Sequence, residues 1–409
     1  MSDVSFVVTG RDQPGLTAAL FQALTDTGAT VTDVNQSCVH GHLMLAVDLS
    51  LSASDDRDGT AGAVDHRDNR ASVLAAVGAV CAPRGLAVAV PDASATVGSR
   101  DPDPANRSHV TVLASPLRPA AMAAVAERIA AHGANIDRIV RVAASPVTAV
   151  ELEVSGPDRE GLRRELSGAA AELGIDVAVQ PGGLYRRGKR LVILDVDSTL
   201  ITGEVVELLA RRAGCEDRVS EVTAAAMRGE LDFAESLRER VALLAGLPVA
   251  AIDEVRAALQ LTPGAATLIA TLKRLDYRCG IVSGGFTQVT DVLAAQLGLD
   301  YARANTLAVR DGRLTGQLAG PVVDRAAKAA ALREFAEHAG VPISQTVAIG
   351  DGANDLDMLA AAGLGVAFNA KPVVRAAADA SVSMPHLDAV LYLLGITDEE
   401  IAEVERLDR

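Results

Sequence analysis

The stretch Leu191-Val-Ile-Leu-Asp-Val-Asp-Ser-Thr-Leu200 decides how this chain folds. Four consecutive apolar residues ahead of the first carboxylate fit a strand buried on both faces of a parallel sheet, not a half-exposed alternating one. Asp195 and Asp197 then fall just past the strand, and open parallel sheets gather their working side chains at strand C-termini. Two carboxylates in one such turn can face one ligand, and one of them can attack phosphorus to give an acyl phosphate that hydrolyses more readily than an ester. Their repulsion calls for a shared proton or a divalent cation, and Mg²⁺ suits an all-oxygen ligand set. Taken alone, Asp-Val-Asp-Ser-Thr fits a strand end followed by a helix cap equally well.

Downstream, the chain keeps alternating buried strands with helices. Strands are expected over 190–195, 279–283, 346–350 and 365–368, each running into a loop with polar residues, as in a doubly wound parallel sheet. The helical stretch over 205–260 is too long for a simple crossover, so a small helical cap is expected over about 204–262. Gly350-Asp-Gly-Ala-Asn-Asp355 places Asp351 and Asp355 after a second apolar strand, with Asn354 as a neutral donor; two acidic loops at two strand ends make a plausible metal site. Ser283-Gly-Gly285 offers a hydroxyl and open backbone N–H groups, and Lys328, in Asp324-Arg-Ala-Ala-Lys328, offers a fixed positive charge for phosphoryl oxygens. Singly, a Ser-Gly-Gly turn is an ordinary turn and a helical lysine is ordinarily solvated. The order of all four along one α/β pattern argues for phosphoryl transfer.

The amino-terminal half reads differently. Strand, helix, strand and strand over 4–9, 16–27, 31–39 and 43–51, then a helix from about 71 and a strand over 86–90, make a βαββαβ unit. The order recurs as 109–114, 118–132, 136–142, 148–154, 159–173 and 176–180, with Thr27-Gly-Ala-Thr30 echoed by His132-Gly-Ala-Asn135. A polar insert at 54–70 is expected to be a loop. The expected fold class is α/β: a Rossmann-like core with a small helical cap behind two ferredoxin-like modules. Expected bounds are 1–92, a Pro- and Asp-rich linker at 93–107, 108–183, and 184–409. A length of 409 residues accommodates these domains.

The whole-chain balance narrows the function. With 38 Lys+Arg against 53 Asp+Glu the formal charge is −15, which disfavours a nucleic-acid or anionic-membrane surface and leaves phosphate capture to a few placed groups. The scattered Cys38, Cys81, Cys215 and Cys279 form no zinc-ligand spacing and are expected as reduced, mostly buried thiols. No apolar run has membrane-spanning length and Met1-Ser-Asp-Val-Ser lacks secretory-signal order, so a cytoplasmic protein is expected.

The four segments together resemble the haloacid dehalogenase superfamily, and Asp-x-Asp-Ser-Thr-Leu, Ser-Gly-Gly-Phe and Gly-Asp-Gly-Ala-Asn-Asp-Leu-x-Met look like its phosphoserine phosphatases, over about 189–394. The resemblance implies hydrolysis of O-phospho-L-serine, the last step of L-serine biosynthesis, with Asp195 as nucleophile and Asp197 as acid and then base. It implies Mg²⁺ on the Asp195 carboxylate, the Asp197 carbonyl and Asp351, with Asp355 in support. Ser283, Gly284 and Lys328 would hold phosphate, with Asn354 nearby. Glu204 would take the substrate ammonium and Arg240 its carboxylate, between apolar cap walls Met227 and Phe233; on residue type alone Glu204 and Arg240 are two solvated helix charges. Another small phosphomonoester or a phosphoprotein is the competing substrate class, and a non-catalytic amino-acid sensor is the third reading.

Asp12-Gln-Pro-Gly-Leu16 at the first strand-to-helix turn resembles the ACT domain over about 2–90, and more weakly over 109–180, where Ser115-Pro-Leu-Arg118 departs from the pattern. That resemblance implies an amino-acid effector, L-serine, between ACT copies of two subunits, and hence a homodimer.

Overall fold

The computed structural model describes residues 2–51, 66–91, 106–156, 158–183, 188–227 and 230–407. The expected linker, apart from 106–107, and most of the insert at 54–70 lie outside these. Two compact units are present, Met1–Arg100 and Asp101–Arg409, and each is described by itself.

In the first unit, β1 (Ser2–Arg11), α1 (Leu16–Leu24), β2 (Ala29–Val39), β3 (His42–Leu51), α2 (His66–Cys81) and β4 (Ala87–Ala89) form an antiparallel sheet in the order β2-β3-β1-β4. Alternation along β3 sends Leu43, Leu45, Val47, Leu49 and Leu51 into a core with Phe6, Leu20, Val73 and Val77. Residues 66–70, expected in the loop, instead begin α2. The edge strand β2 is exposed almost throughout, and Cys38 on it is exposed, contrary to the expected burial.

The second unit opens with β5 (Arg107–Ala114), α3 (Pro119–Ala131), β6 (Asn135–Ala143), β7 (Thr148–Ser155), α4 (Arg159–Leu173) and β8 (Asp176–Pro181), repeating the βαββαβ order. Then come β9 (Leu191–Leu194) and the helices α5 (Val205–Ala213), α6 (Glu216–Met227), α7 (Phe233–Ala242), α8 (Ala250–Ala258) and α9 (Ala265–Arg274). The remainder alternates: β10 (Arg278–Phe286), α10 (Thr287–Leu297), the hairpin β11 (Tyr301–Arg310) and β12 (Arg313–Ala319), α11 (Arg325–His338), β13 (Thr346–Gly350), α12 (Leu356–Ala361), β14 (Gly365–Phe368), α13 (Pro372–Ala377), β15 (Ala380–Val382), α14 (Val390–Leu393) and α15 (Asp398–Leu407).

Strands β11, β10, β9, β13, β14 and β15 run parallel. All four residues of β9 are fully buried: Val192 and Leu194 pack with α9 and α10 on one face, Leu191 and Ile193 with α11 and α12 on the other. This is the doubly wound core that an unbroken apolar run predicts. The expected strand over 279–283 extends to Phe286, with a register irregularity after Val282, so Gly284 and Gly285, expected in a loop, lie within β10.

One feature was not legible beforehand. The sheet of the second ferredoxin-like module and the parallel sheet are one eleven-stranded sheet, β12-β11-β10-β9-β13-β14-β15-β8-β5-β7-β6. The seam is a single antiparallel pair, Ala380 opposite Ala178. Side chains secure it: buried Asp176 accepts from the Ser381 hydroxyl (3.0 Å) and the Ser383 N–H (2.6 Å), and Gln180 donates to the Leu393 carbonyl at 2.8 Å.

Candidate active site

The C-terminal ends of β9, β10 and β13 converge on one acidic centre. Asp195 follows β9 directly, and its Oδ1 accepts from the Val196 N–H at 2.8 Å and lies 2.7 Å from Lys328 Nζ. Lys328 arrives on the second turn of α11, whose start is fixed by Asp324 accepting from the Ala327 N–H at 2.8 Å. The lysine is fully buried and also reaches Asp355 Oδ1 at 2.7 Å. Burial works to lower its pKa, but the two carboxylates win and raise it, so it stays charged.

Asp195, Asp351 and Asp355 each offer a carboxylate oxygen, all within 4.8 Å of one another. Burial, then Asp355, drives Asp195 well above the carboxylate range, and burial pushes Asp351 up to about 6. Three acids, two of them buried, around one buried ammonium leave excess negative charge, and an oxygen-liganded divalent cation fits that donor set and charge. Thr199 holds Asp351 in place, donating to its Oδ1 at 2.8 Å.

Asp197 is set apart from this cluster. Its Oδ1 accepts from the Val205 N–H at 2.8 Å and its Oδ2 lies 3.4 Å from the Ser283 hydroxyl, while burial, with Glu204 adding, pushes it up to about 6. Two acids two residues apart therefore differ in surroundings, one pinned by a lysine and the other by a backbone amide. Glycine leaves room beside them: a Cβ at Gly285 would come within 2.8 Å of Asp197 Oδ2, and one at Gly284 within 2.9 Å of the Phe233 ring, so either would make a side chain shift. The Gly285 N–H, expected to be open, already donates to Ser283 Oγ at 2.7 Å.

A cavity of about 670 Å³ opens over this centre. Asp195, Asp197, Gly284, Asp351 and Asn354 form its floor, and Phe233, Leu237 and Arg240 of α7 face them from the cap. An Asp232–Glu235 capping box starts α7, which carries Phe233 and Arg240 to the cavity. Arg240 is only 9% exposed, and its Nη1 lies 3.6 Å from Glu204 Oε2, so the two charges face each other at the cavity wall, the arginine buried and the glutamate, 39% exposed, still in partial contact with water. Burial raises the pKa of Glu204. The Met227 side chain lies outside the described residues.

Every described residue expected at the site lines this cavity or touches a residue that does. Sequence reasoning missed Thr199, Arg325 and Lys371. Lys371 lines the cavity and follows β14, the fifth strand of the parallel set, so the strand-end rule that found Asp195 could have found it.

A doubly wound parallel sheet with two acidic loops, a buried lysine and a helical cap at its strand ends defines a haloacid dehalogenase-like hydrolase, and residues 192–360 match that family. Phosphatases of this class are metal-dependent. Residues 6–61 and 107–180 match ACT domains. The chain is 55% identical over 98% of its length to a phosphoserine phosphatase of Streptomyces coelicolor, covering 94% of that protein, and 50% identical over 99% to the phosphoserine phosphatase SerB2 of Mycobacterium tuberculosis, covering 96%. A crystal structure of a HAD-family hydrolase from Salmonella enterica superposes with a TM-score of 0.61 at 28% identity, over 70% of this chain and 98% of that one. The chain belongs to the phosphoserine phosphatases with amino-terminal ACT domains.

Proposed function

We propose that the chain hydrolyses O-phospho-L-serine to L-serine and phosphate through an aspartyl-phosphate. The observation that carries the substrate is the facing of Glu204 and Arg240, 3.6 Å apart, on the wall of the cavity whose floor holds Asp195. An amino acid's ammonium and carboxylate satisfy those two charges at once, the carboxylate on Arg240's fork.

In this reading Asp195 attacks phosphorus. The ester oxygen leaves as the serine hydroxyl, taking a proton from Asp197, whose carboxyl at about 6 is tuned between acid and base. Asp197, now ionised, takes a proton from the water that attacks the acyl phosphate, freeing phosphate and Asp195. Ser283, Gly284 and Lys328, with Asn354 nearby, hold the phosphoryl oxygens. Asp195, the Asp197 carbonyl and Asp351, supported by Asp355, would hold Mg²⁺, which supplies charge neutralisation at the phosphoryl group.

The ACT domains supply amino-acid effector binding, and we assign L-serine, the product, as the effector. The Gly10–Leu16 turn suits a carboxylate, since it leads into the N-terminus of α1. A homodimer accords with the uncovered eleven-residue edge strand β2, on which Val34 and Val39 are exposed. A cytoplasmic location accords with a biosynthetic reaction; among the described residues no helix is long and apolar enough to cross a membrane.

The deciding experiment is Mg²⁺-dependent phosphate release from L-phosphoserine, phosphothreonine, a hexose phosphate and an aryl phosphate. Phosphoserine should be preferred, and Arg240→Ala should raise KM for it far more than for the aryl phosphate. Equal losses on both would remove the assigned role of Arg240.

A further inference from the structure

The second ferredoxin-like module packs one face of its sheet on α3 and α4 through Val110, Val112, Leu152 and Val154. Residues at alternate positions of the same strands, His109 and Thr111 on β5 and Glu151 and Glu153 on β7, therefore point to the opposite face. In antiparallel register His109 stands opposite Glu153 and Thr111 opposite Glu151. This is an unusual set for a sheet face: one imidazole and two carboxylates, with ligand atoms all within 4.8 Å of one another.

Two details point to a ligand. The Nδ1 of His109 lies 3.1 Å from Glu151 Oε1, but the contact lacks hydrogen-bond geometry. That separation is close to the ~3.3 Å edge between ligand atoms around a tetrahedral ion with bonds of about 2.0 Å. Beside them on the same face, Thr111 is fully buried and its hydroxyl has no hydrogen-bond partner. Glu153 also contacts Arg138 at 3.4 Å, an exposed pair that is weak and easily exchanged.

We propose that His109, Glu151 and Glu153 hold a divalent transition-metal ion of the zinc class on this sheet face. The imidazole nitrogen selects zinc, cobalt or nickel over magnesium, and two carboxylates neutralise the charge. The ion ties β5 to β7, and β5 pairs with β8, the strand that joins the parallel sheet. This site is separate from the acidic catalytic centre and independent of the substrate assignment.

The test is calorimetric titration of the full chain with Zn²⁺ in a large excess of Mg²⁺, repeated with Co²⁺ by visible absorption. One tight ion per chain is expected. His109→Ala should abolish that event, and Glu153→Gln should weaken it ~10-fold or more, with Mg²⁺-dependent turnover within about twofold of the parent in both, because distant sites act independently. Should His109→Ala not fold, the exposed Glu153→Gln decides. An unchanged isotherm in the folded variants, or no Zn²⁺ uptake under excess Mg²⁺, overturns the site and leaves His109 and Glu151 as an ordinary imidazole–carboxylate pair.

Discussion

Lys328 Nζ lies 2.7 Å from Asp195 Oδ1 with both side chains buried, so the proposed nucleophile is held by a cation that water does not reach. A buried ion pair adds little net stability, but removing one partner strands the other's charge. Lys328→Met should therefore cost about 3 kcal/mol or more in denaturant unfolding of the metal-free protein, and lower kcat by roughly 10²-fold or more. A variant that loses stability but keeps its turnover would remove Lys328 from phosphoryl binding.

The acidic cluster predicts how metal binding depends on pH. Asp351, pushed up to about 6, binds a proton below that pH, and a cation binds its ionised form. Apparent Mg²⁺ affinity should therefore fall as pH drops through 6, by about tenfold per unit below it from Asp351 alone, with the raised Asp195 carboxyl adding to the loss. Calorimetry in two buffers of different ionisation enthalpy would show proton release on binding near pH 6. A pH-independent affinity between 5 and 7 would contradict it.

The two glycines after Ser283 should separate chemistry from substrate positioning. An added methyl at Gly285 meets Asp197 Oδ2 at 2.8 Å and Ser283 Oγ at 2.9 Å, whereas one at Gly284 meets the Phe233 ring tip at 2.9 Å. Gly285→Ala should lower kcat by up to about 10²-fold, as a displaced acid would. Gly284→Ala should act mainly on KM through the cap. Steady-state kinetics on both variants, with melting temperatures as a fold check, tests the division; the reverse pattern would refute it.

Much of this was legible because the signals were local. The unbroken apolar run of β9 marked a buried parallel strand, and the alternation of β3 marked a half-buried antiparallel one. Asp195, Asp197 and Asp351 were legible by position at strand ends. The β11–β12 hairpin was missed because Tyr301-Ala-Arg-Ala-Asn-Thr306 carries little apolar alternation, and the three-residue β15 because it is too short for a period. Burial of Lys328 was hidden because a helical lysine reads as solvated until two carboxylates from other loops are seen around it. The merged sheet was hidden for a related reason: Asp176 meets Ser381 across 205 residues of sequence.

That contact leads to the last expectation. Among the described residues Ala380 and Ala178 are the one strand pair at the seam, so Asp176 carries much of it. It is 3% exposed, accepts from the Ser381 hydroxyl, the Ser383 hydroxyl and the Ser383 N–H, and lies 3.6 Å from Arg375. Asp176→Ala would leave the buried Ser381 hydroxyl without its acceptor, while the donors of the exposed Ser383 could turn to water, at a cost of about 2–3 kcal/mol. Asp176→Asn keeps the shape but turns one acceptor into a donor facing donors, so a smaller loss of about 1–2 kcal/mol is expected. Because the seam lies away from the acidic centre, kcat at saturating phosphoserine should change little while amide exchange in β8 and β15 accelerates. A change in unfolding free energy below about 0.5 kcal/mol for Asp176→Ala, with unaltered exchange, would show that the eleven-stranded sheet is held by its apolar packing alone.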